Sequence, residues 1–156
     1  MYGFSPFHSR FPELAQKETR SLTVFKHDTL PADEYALLEF YCEGPDCDCR
    51  RVMLYVVSRR RQQPLAVIAY GWEDRVFYRR WLGDDDPDNL AALQGPTLNR
   101  MSRQSPLAPA LLEFVTEMVL SDEAYVARLA RHYRLFKKAL RKERKKRKRI
   151  PPRRRG

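Results

Sequence analysis

The stretch from Tyr35 to Gly71 carries the strongest hydrophobic patterning in the chain. Tyr35–Cys42, Arg50–Ser58 and Pro64–Gly71 each read as a β-strand, and "VMLYVV" (Val52–Val57) is apolar without alternation, the signature of a central strand covered on both faces. "RRRQQP" is a polar connection short enough for an antiparallel hairpin. Upstream, the β-branched content of "TRSLTVFK" predicts an earlier strand, and "LPADEY" carries turn chemistry. Downstream the period changes. "EDRVFYRRWLG" predicts a short helix ending at Gly83, "DDDPDN" reads as a solvated loop without the EF-hand pattern, and 95–104 is irregular. Ser105 and Pro106 have the chemistry of a helix start, and Leu107, Leu111, Phe114, Val115 and Met118 recur at helical spacing. Ser121 or Asp122 then caps "EAYVARLARHYRLFKKAL". The pattern predicts an α+β domain: a small antiparallel sheet of 3–4 strands with two C-terminal helices packed on it. Its expected boundaries are an irregular N-terminal arm over 1–17, the α+β domain over 18–140, and a basic, partly disordered tail over 141–156.

Charge divides the chain the same way. Residues 137–156 hold 13 of the 30 Lys and Arg against the single acid Glu143, a net of +12, while the other 136 residues hold 17 basic and 19 acidic groups, a net of −2. Beyond Leu140 a helix would be basic on every side, which is unstable alone and is relieved by a polyanion. Lys142, Arg144, Lys145, Lys146, Arg147, Lys148, Arg149, Arg153, Arg154 and Arg155 are therefore candidate contacts to RNA, with the ribosome as one such partner. A solubilising tail is the blander reading.

All three cysteines, Cys42, Cys47 and Cys49, fall inside "YCEGPDCDC". The start of the sequence lacks the basic and apolar regions of a signal peptide and no apolar run spans a bilayer, so a cytoplasmic setting without a membrane is expected, where structural disulfides are rare. A bridge between Cys47 and Cys49 would be strained, and three thiols leave one over. Zinc explains the clustering better than buried free thiols: Gly44-Pro45 turns the chain back, and Cys47 and Cys49 point to one side of an extended segment. A closed site needs a fourth ligand. His132 is the first candidate because Tyr125, Leu129, His132 and Phe136 share an arc of about 60° on a helix; His27 is second and His8 third. Arg50 and Arg51 are placed to offset the site's charge and to donate to the sulfurs. Trp72, Tyr78 and Trp81 are candidate base-stacking groups or core. No Gly-rich phosphate loop, nucleophile elbow or H-E-x-x-H motif is present, so catalysis has no positive support.

The segments "YALLEFYCEGPDCDCRRVMLYVVS", "PLAVIAYGWE", "FYRRWLG", "QSPLAPALLEFV" and "YVARLARHYRLFK" resemble a family of functionally uncharacterised bacterial proteins, from about Thr19 to Lys137. Some relatives end in a SEC-C motif, a cysteine-rich zinc knuckle also found at the end of the SecA preprotein-translocation ATPase. Here the basic tail stands in its place, so a role through that motif does not carry over. The resemblance implies a zinc-binding bacterial domain and supplies no activity. The function expected is non-catalytic zinc binding with RNA or another polyanion on the tail; the alternative is a protein–protein adaptor in which the tail is accessory.

Overall fold

The computed structural model describes residues 2–149. Its centre is an antiparallel meander of β3 (Asp33–Cys42), β4 (Arg51–Ser58) and β5 (Gln63–Gly71). Register follows the side-chain period of two. Leu37 pairs with Val56, Glu39 with Leu54, and Leu54 in turn with Ile68, so one face collects Tyr35, Leu37, Glu39, Tyr41, Val52, Leu54, Val56, Ala66 and Ile68. The apolar members of this face are buried, and each large one contributes roughly 1.5–3 kcal/mol relative to exposure. Truncating the buried Leu54 to alanine would cost about 2–5 kcal/mol.

Helices α5 (Ala108–Met118) and α6 (Glu123–Arg149) contribute Leu111, Val115, Tyr125, Leu129 and Phe136 to the same core. Ser105 Oγ accepts from the Leu107 N–H in the turn before α5, and Asp122 Oδ1 accepts from the Ala124 N–H at the start of α6. On the other face Met53, Val67 and Ala69 form a smaller cluster with Phe4, Phe40 and Tyr55, the last two stacked at 3.9 Å.

Four sequence expectations are corrected. Among the described residues the sheet has six strands rather than 3–4. β1 (Phe4–Pro6) and β2 (Ser21–Val24) pair end to end with the free edge of β3, and β6 (Thr97–Leu98) pairs with β5. The segment 1–17 is no irregular arm: β1 leads into α1 (Phe7–Arg10) and α2 (Pro12–Glu18), pinned because Phe7 is buried against Tyr41 and the His132 ring. The "DDDPDN" segment begins a helix. α3 (Arg75–Leu82) ends at Gly83 as expected, at φ 70°, but α4 (Pro87–Gln94) follows, with Asp86 Oδ1 accepting from the Asp88 and Asn89 N–H groups and Pro87 in the first turn. Finally, α6 does not stop at Leu140 but runs as one helix to Arg149.

Candidate metal centre

Cys42 is the last residue of β3, and Cys47 and Cys49 lie in the connection to β4. Hydrogen bonding within that connection is local and tight. The Gly44 N–H donates to Cys42 Sγ at 3.4 Å, and the Cys47 N–H donates to the Gly44 carbonyl at 3.2 Å. The turn needs glycine: a Cβ on Gly44 would stand 2.8 Å from Cys47 Cβ and against the Tyr2 ring. As a result the three Sγ atoms all lie within 4.8 Å of one another. Thiolates on a tetrahedral ion with Zn–S bonds of about 2.3 Å stand about 3.8 Å apart, so a small contraction closes the set.

The thiols perturb one another strongly. Hydrogen bonding from Cys49, aided by the Gly44 N–H, the Lys137 charge and Cys47, lowers the Cys42 pKa to about 5 against the opposing effect of burial. Hydrogen bonding to Cys42, then burial, pushes Cys49 far up, while burial and the Cys42 charge raise Cys47. A divalent cation would bind the three as thiolates and displace their protons. Among the described residues this is the one cluster of His, Cys, Asp and Glu side chains close enough to share an ion, and three soft donors suit zinc chemistry.

Helix α6 grips this loop from behind. Lys137, 3% exposed, donates from Nζ to the Cys42 carbonyl at 2.9 Å and the Gly44 carbonyl at 2.6 Å, and its ammonium lies 5.3 Å from the Tyr133 ring centroid. Tyr133 donates from its hydroxyl to the Cys47 carbonyl at 3.0 Å and accepts from the Arg50 N–H at 3.2 Å. One turn on, Arg141 Nε donates to the Pro45 carbonyl at 3.2 Å, and Arg144 pairs with Asp46. Tyr78, fully buried, donates to the Arg50 carbonyl at 2.8 Å. These two tyrosines hold Arg50 at φ 49°, a left-handed geometry that a non-glycine residue adopts at a cost.

The histidine assignment is corrected. His132 is fully buried, but its ring serves two carboxylates: Nδ1 meets Glu39 Oε1 at 2.6 Å and Nε2 meets Glu18 Oε1 at 3.0 Å. Neither nitrogen is left for an ion. His27 Nδ1 accepts from the Thr29 and Leu30 N–H groups, and His8 packs edge-on against Phe40, so neither replaces it. The arginine pair also divides. Arg50 turns to Asp48, to Glu73 and to the Phe77 ring, away from the role expected of it at the sulfurs. Arg51 does approach the cysteines: burial lowers its pKa, and the charges of Cys49, Tyr78, Cys42 and Cys47 oppose that. Its Nε donates to the Leu93 carbonyl at 2.7 Å. Lys137, whose position in the sequence groups it with the tail charge, belongs to this loop instead.

Beyond the cysteines a groove of about 1010 Å³ opens between the sheet and α4, lined by all three of them and by Arg51. Of the aromatic candidates, Tyr78 is buried, Trp72 packs on Tyr133, and Trp81 is exposed at the groove rim. In the tail, Lys142, Lys145, Lys146, Arg147, Lys148 and Arg149 are helical positions turned toward solvent, while Arg144 is tied to Asp46. Arg153, Arg154 and Arg155 lie outside the described residues. Among those described, no helix is long and apolar enough to cross a membrane. Comparison with protein-family models, curated proteins and solved structures gave no match in any of the three.

Proposed function

We propose that the protein is a non-catalytic domain in which a zinc ion on Cys42, Cys47 and Cys49 fixes the knuckle, and the knuckle fixes a basic helix that binds RNA or a similar polyanion. The observation that carries this reading is the division of labour along α6. Lys137, Arg141 and Arg144 fall on one face and hold the cysteine loop. Lys142, Lys145, Lys146 and Arg149 fall within about 100° of arc on a different, solvent-facing side. A stripe of cations on a helix held at its base neutralises phosphates without first having to order a chain, which lowers the entropic cost of binding. Zinc in a three-thiolate set leaves one position for water or a ligand.

Two measurements test this together. Protein purified without chelator should carry one zinc per chain, absent from the Cys42→Ser/Cys47→Ser variant. Affinity for a short single-stranded RNA should fall steeply with salt. Replacing Lys142, Lys145, Lys146 and Arg149 by glutamine should reduce the log–log slope by about 0.7 for each phosphate no longer neutralised. Metal-free protein with three freely titrating thiols would refute the zinc reading. RNA binding that the fourfold variant leaves intact would refute the helix reading.

A further inference from the structure

The groove beside the cysteines is built of two kinds of surface. One is apolar: Phe4, Met53 and Ala69 from the sheet, Leu90 and Leu93 from α4, and Met101 on the following loop, 93% exposed; the other is charged, with Arg75, Asp88 and Arg100 on the same lining. At the knuckle end stands Arg51. Among the described residues the hydrogen-bond partner of its side chain is the Leu93 carbonyl, taken by Nε; the two terminal nitrogens of the guanidinium have none. A half-buried guanidinium whose terminal nitrogens have no protein acceptor, beside an apolar wall, is free to take an anionic ligand.

The charge balance says what completes it. Three thiolates on a divalent ion carry one negative charge. Lys137 behind the loop and Arg51 in front of it bring two positive charges. Arg75 and Arg100 add two more on the groove lining against the single acid Asp88, so the groove is net positive and favours an anion. A planar carboxylate also matches the guanidinium fork bidentately, and its oxygen is a donor for the metal's open position.

The geometry points to a ligand site in this groove for an apolar monocarboxylate, with the hydrocarbon body over Met53 and Ala69 and the carboxylate on the terminal nitrogens of Arg51. The charge balance rests on the zinc reading above; the free fork and the apolar walls do not.

The probe is octanoate, titrated calorimetrically into the full-length, zinc-loaded protein, with octanol, octylamine and octyl phosphate as comparisons. Octanoate should bind and octylamine should not. Octanol should be weaker by about ten- to hundredfold, the loss expected for one charge-assisted bidentate contact. Arg51→Gln should weaken octanoate by the same factor and leave octanol unchanged. Arg51→Lys keeps the charge but not the fork, and should fall between, with zinc content and melting temperature preserved. If Arg51→Gln does not fold, Arg51→Lys alone decides the matter. Equal affinity for octanoate and octanol, tighter binding of octyl phosphate, or octanoate affinity unaltered in Arg51→Lys each overturns the proposal. Failure is separable from that of the zinc reading. Protein that holds no metal yet binds octanoate through Arg51 sinks only the zinc reading. Protein that holds zinc and ignores octanoate at millimolar concentration sinks only this one.

Discussion

Replacing His132 by phenylalanine should leave the proposed zinc site intact and damage the fold. The ring is sandwiched between Phe7, stacked at 4.4 Å, and the core, and it is the partner of Glu39, itself 4% exposed. Phenylalanine keeps the stack and most of the volume but removes both polar contacts. Glu39 is then a buried carboxylate with only the Tyr41 hydroxyl, at 2.6 Å, as donor. Removing one partner of a buried charged pair costs about 3–5 kcal/mol. The Glu18 contact adds little, because Glu18 is partly exposed and keeps Arg131. For a domain of this size each kcal/mol moves the melting temperature by about 2–4 °C, so the drop should be roughly 6–20 °C. The double variant His132→Phe/Glu39→Leu should recover most of it, since Tyr41 still has the Leu129 carbonyl at 3.1 Å. The effect also has a pH signature. Burial pulls the His132 pKa down, but hydrogen bonds to and the charges of Glu39 and Glu18 outweigh it, and the pKa is raised. A raised histidine stabilises fully below its unfolded value of about 6.5 and loses that contribution as pH rises through the folded pKa. Glu18 is lowered, chiefly by its hydrogen bond to His132, so its contribution is present above about 4.3 and fades as pH falls through its folded pKa. The gap between wild type and variant should therefore be widest from about pH 4.5 to 6.5 and narrow above it. Thermal melts across pH, with zinc measured on each sample, read all of this. A drop under about 1 kcal/mol, a double variant as unstable as the single, or loss of zinc from a folded His132→Phe protein would refute the reasoning.

Other expectations follow from the knuckle. Lys137→Met takes the ammonium donor from the buried Cys42 carbonyl and leaves the Gly44 carbonyl with only the Cys47 N–H, and should cost about 1–3 kcal/mol, the range for one unsatisfied group; Lys142→Met, exposed, should stay within about 0.5 kcal/mol, and denaturant titration of both variants decides it. Gly44→Ala forces a Cβ against that of Cys47 and should lower zinc affinity at least about tenfold in a chelator competition, whereas an unaltered affinity would mean the turn relaxes freely. Truncation after Leu140 should destabilise the domain as well as remove tail charge, because it deletes the Arg141, Glu143 and Arg144 bonds to Pro45, Arg10 and Asp46; a truncated protein that melts like the full chain would show these bonds to be passive.

The central strands were legible because their signal is local: apolar runs bounded by turn residues fold as hairpins whatever surrounds them. The N-terminal strand and helices were not, because their order comes from outside the segment. β1 has three residues, and it is Phe7 under His132 that holds the chain there. α4 had its signal in plain view, Asp86 before Pro87, but the acidic composition of "DDDPDN" outweighed it. Burial of His132 was readable from the stripe of Tyr125, Leu129 and Phe136. Its partner was readable too, from parity. In "YALLEFYC" Tyr35, Leu37, Glu39 and Tyr41 share a face, and an acid between Leu37 and Tyr41 on the core side must be protonated or paired with a buried base. Among the histidines only His132 had a core address, so Glu39 and His132 explain each other, and the cysteines need not be invoked for either.

The acids around the knuckle pose the opposite lesson. Glu43, Asp46 and Asp48 flank three thiols in the sequence and read as charges that would hold the thiols protonated. Folding sends two of them elsewhere. Asp48 turns to Arg50, and Asp46 to Arg144. What faces the sulfurs instead is positive or a donor: the Gly44 N–H, Lys137 and Arg51. The same rearrangement explains why α6 outlasts its apolar stripe. Past Leu140 the helix has no core left to bury, but Arg141 and Arg144 have the knuckle's carbonyl and carboxylate, and Glu143 has Arg10 of α1. Electrostatic contacts to a loop replace hydrophobic contacts to a sheet. The basic helix and the cysteine loop are thus joined by the same few bonds, from Lys137, Arg141 and Arg144.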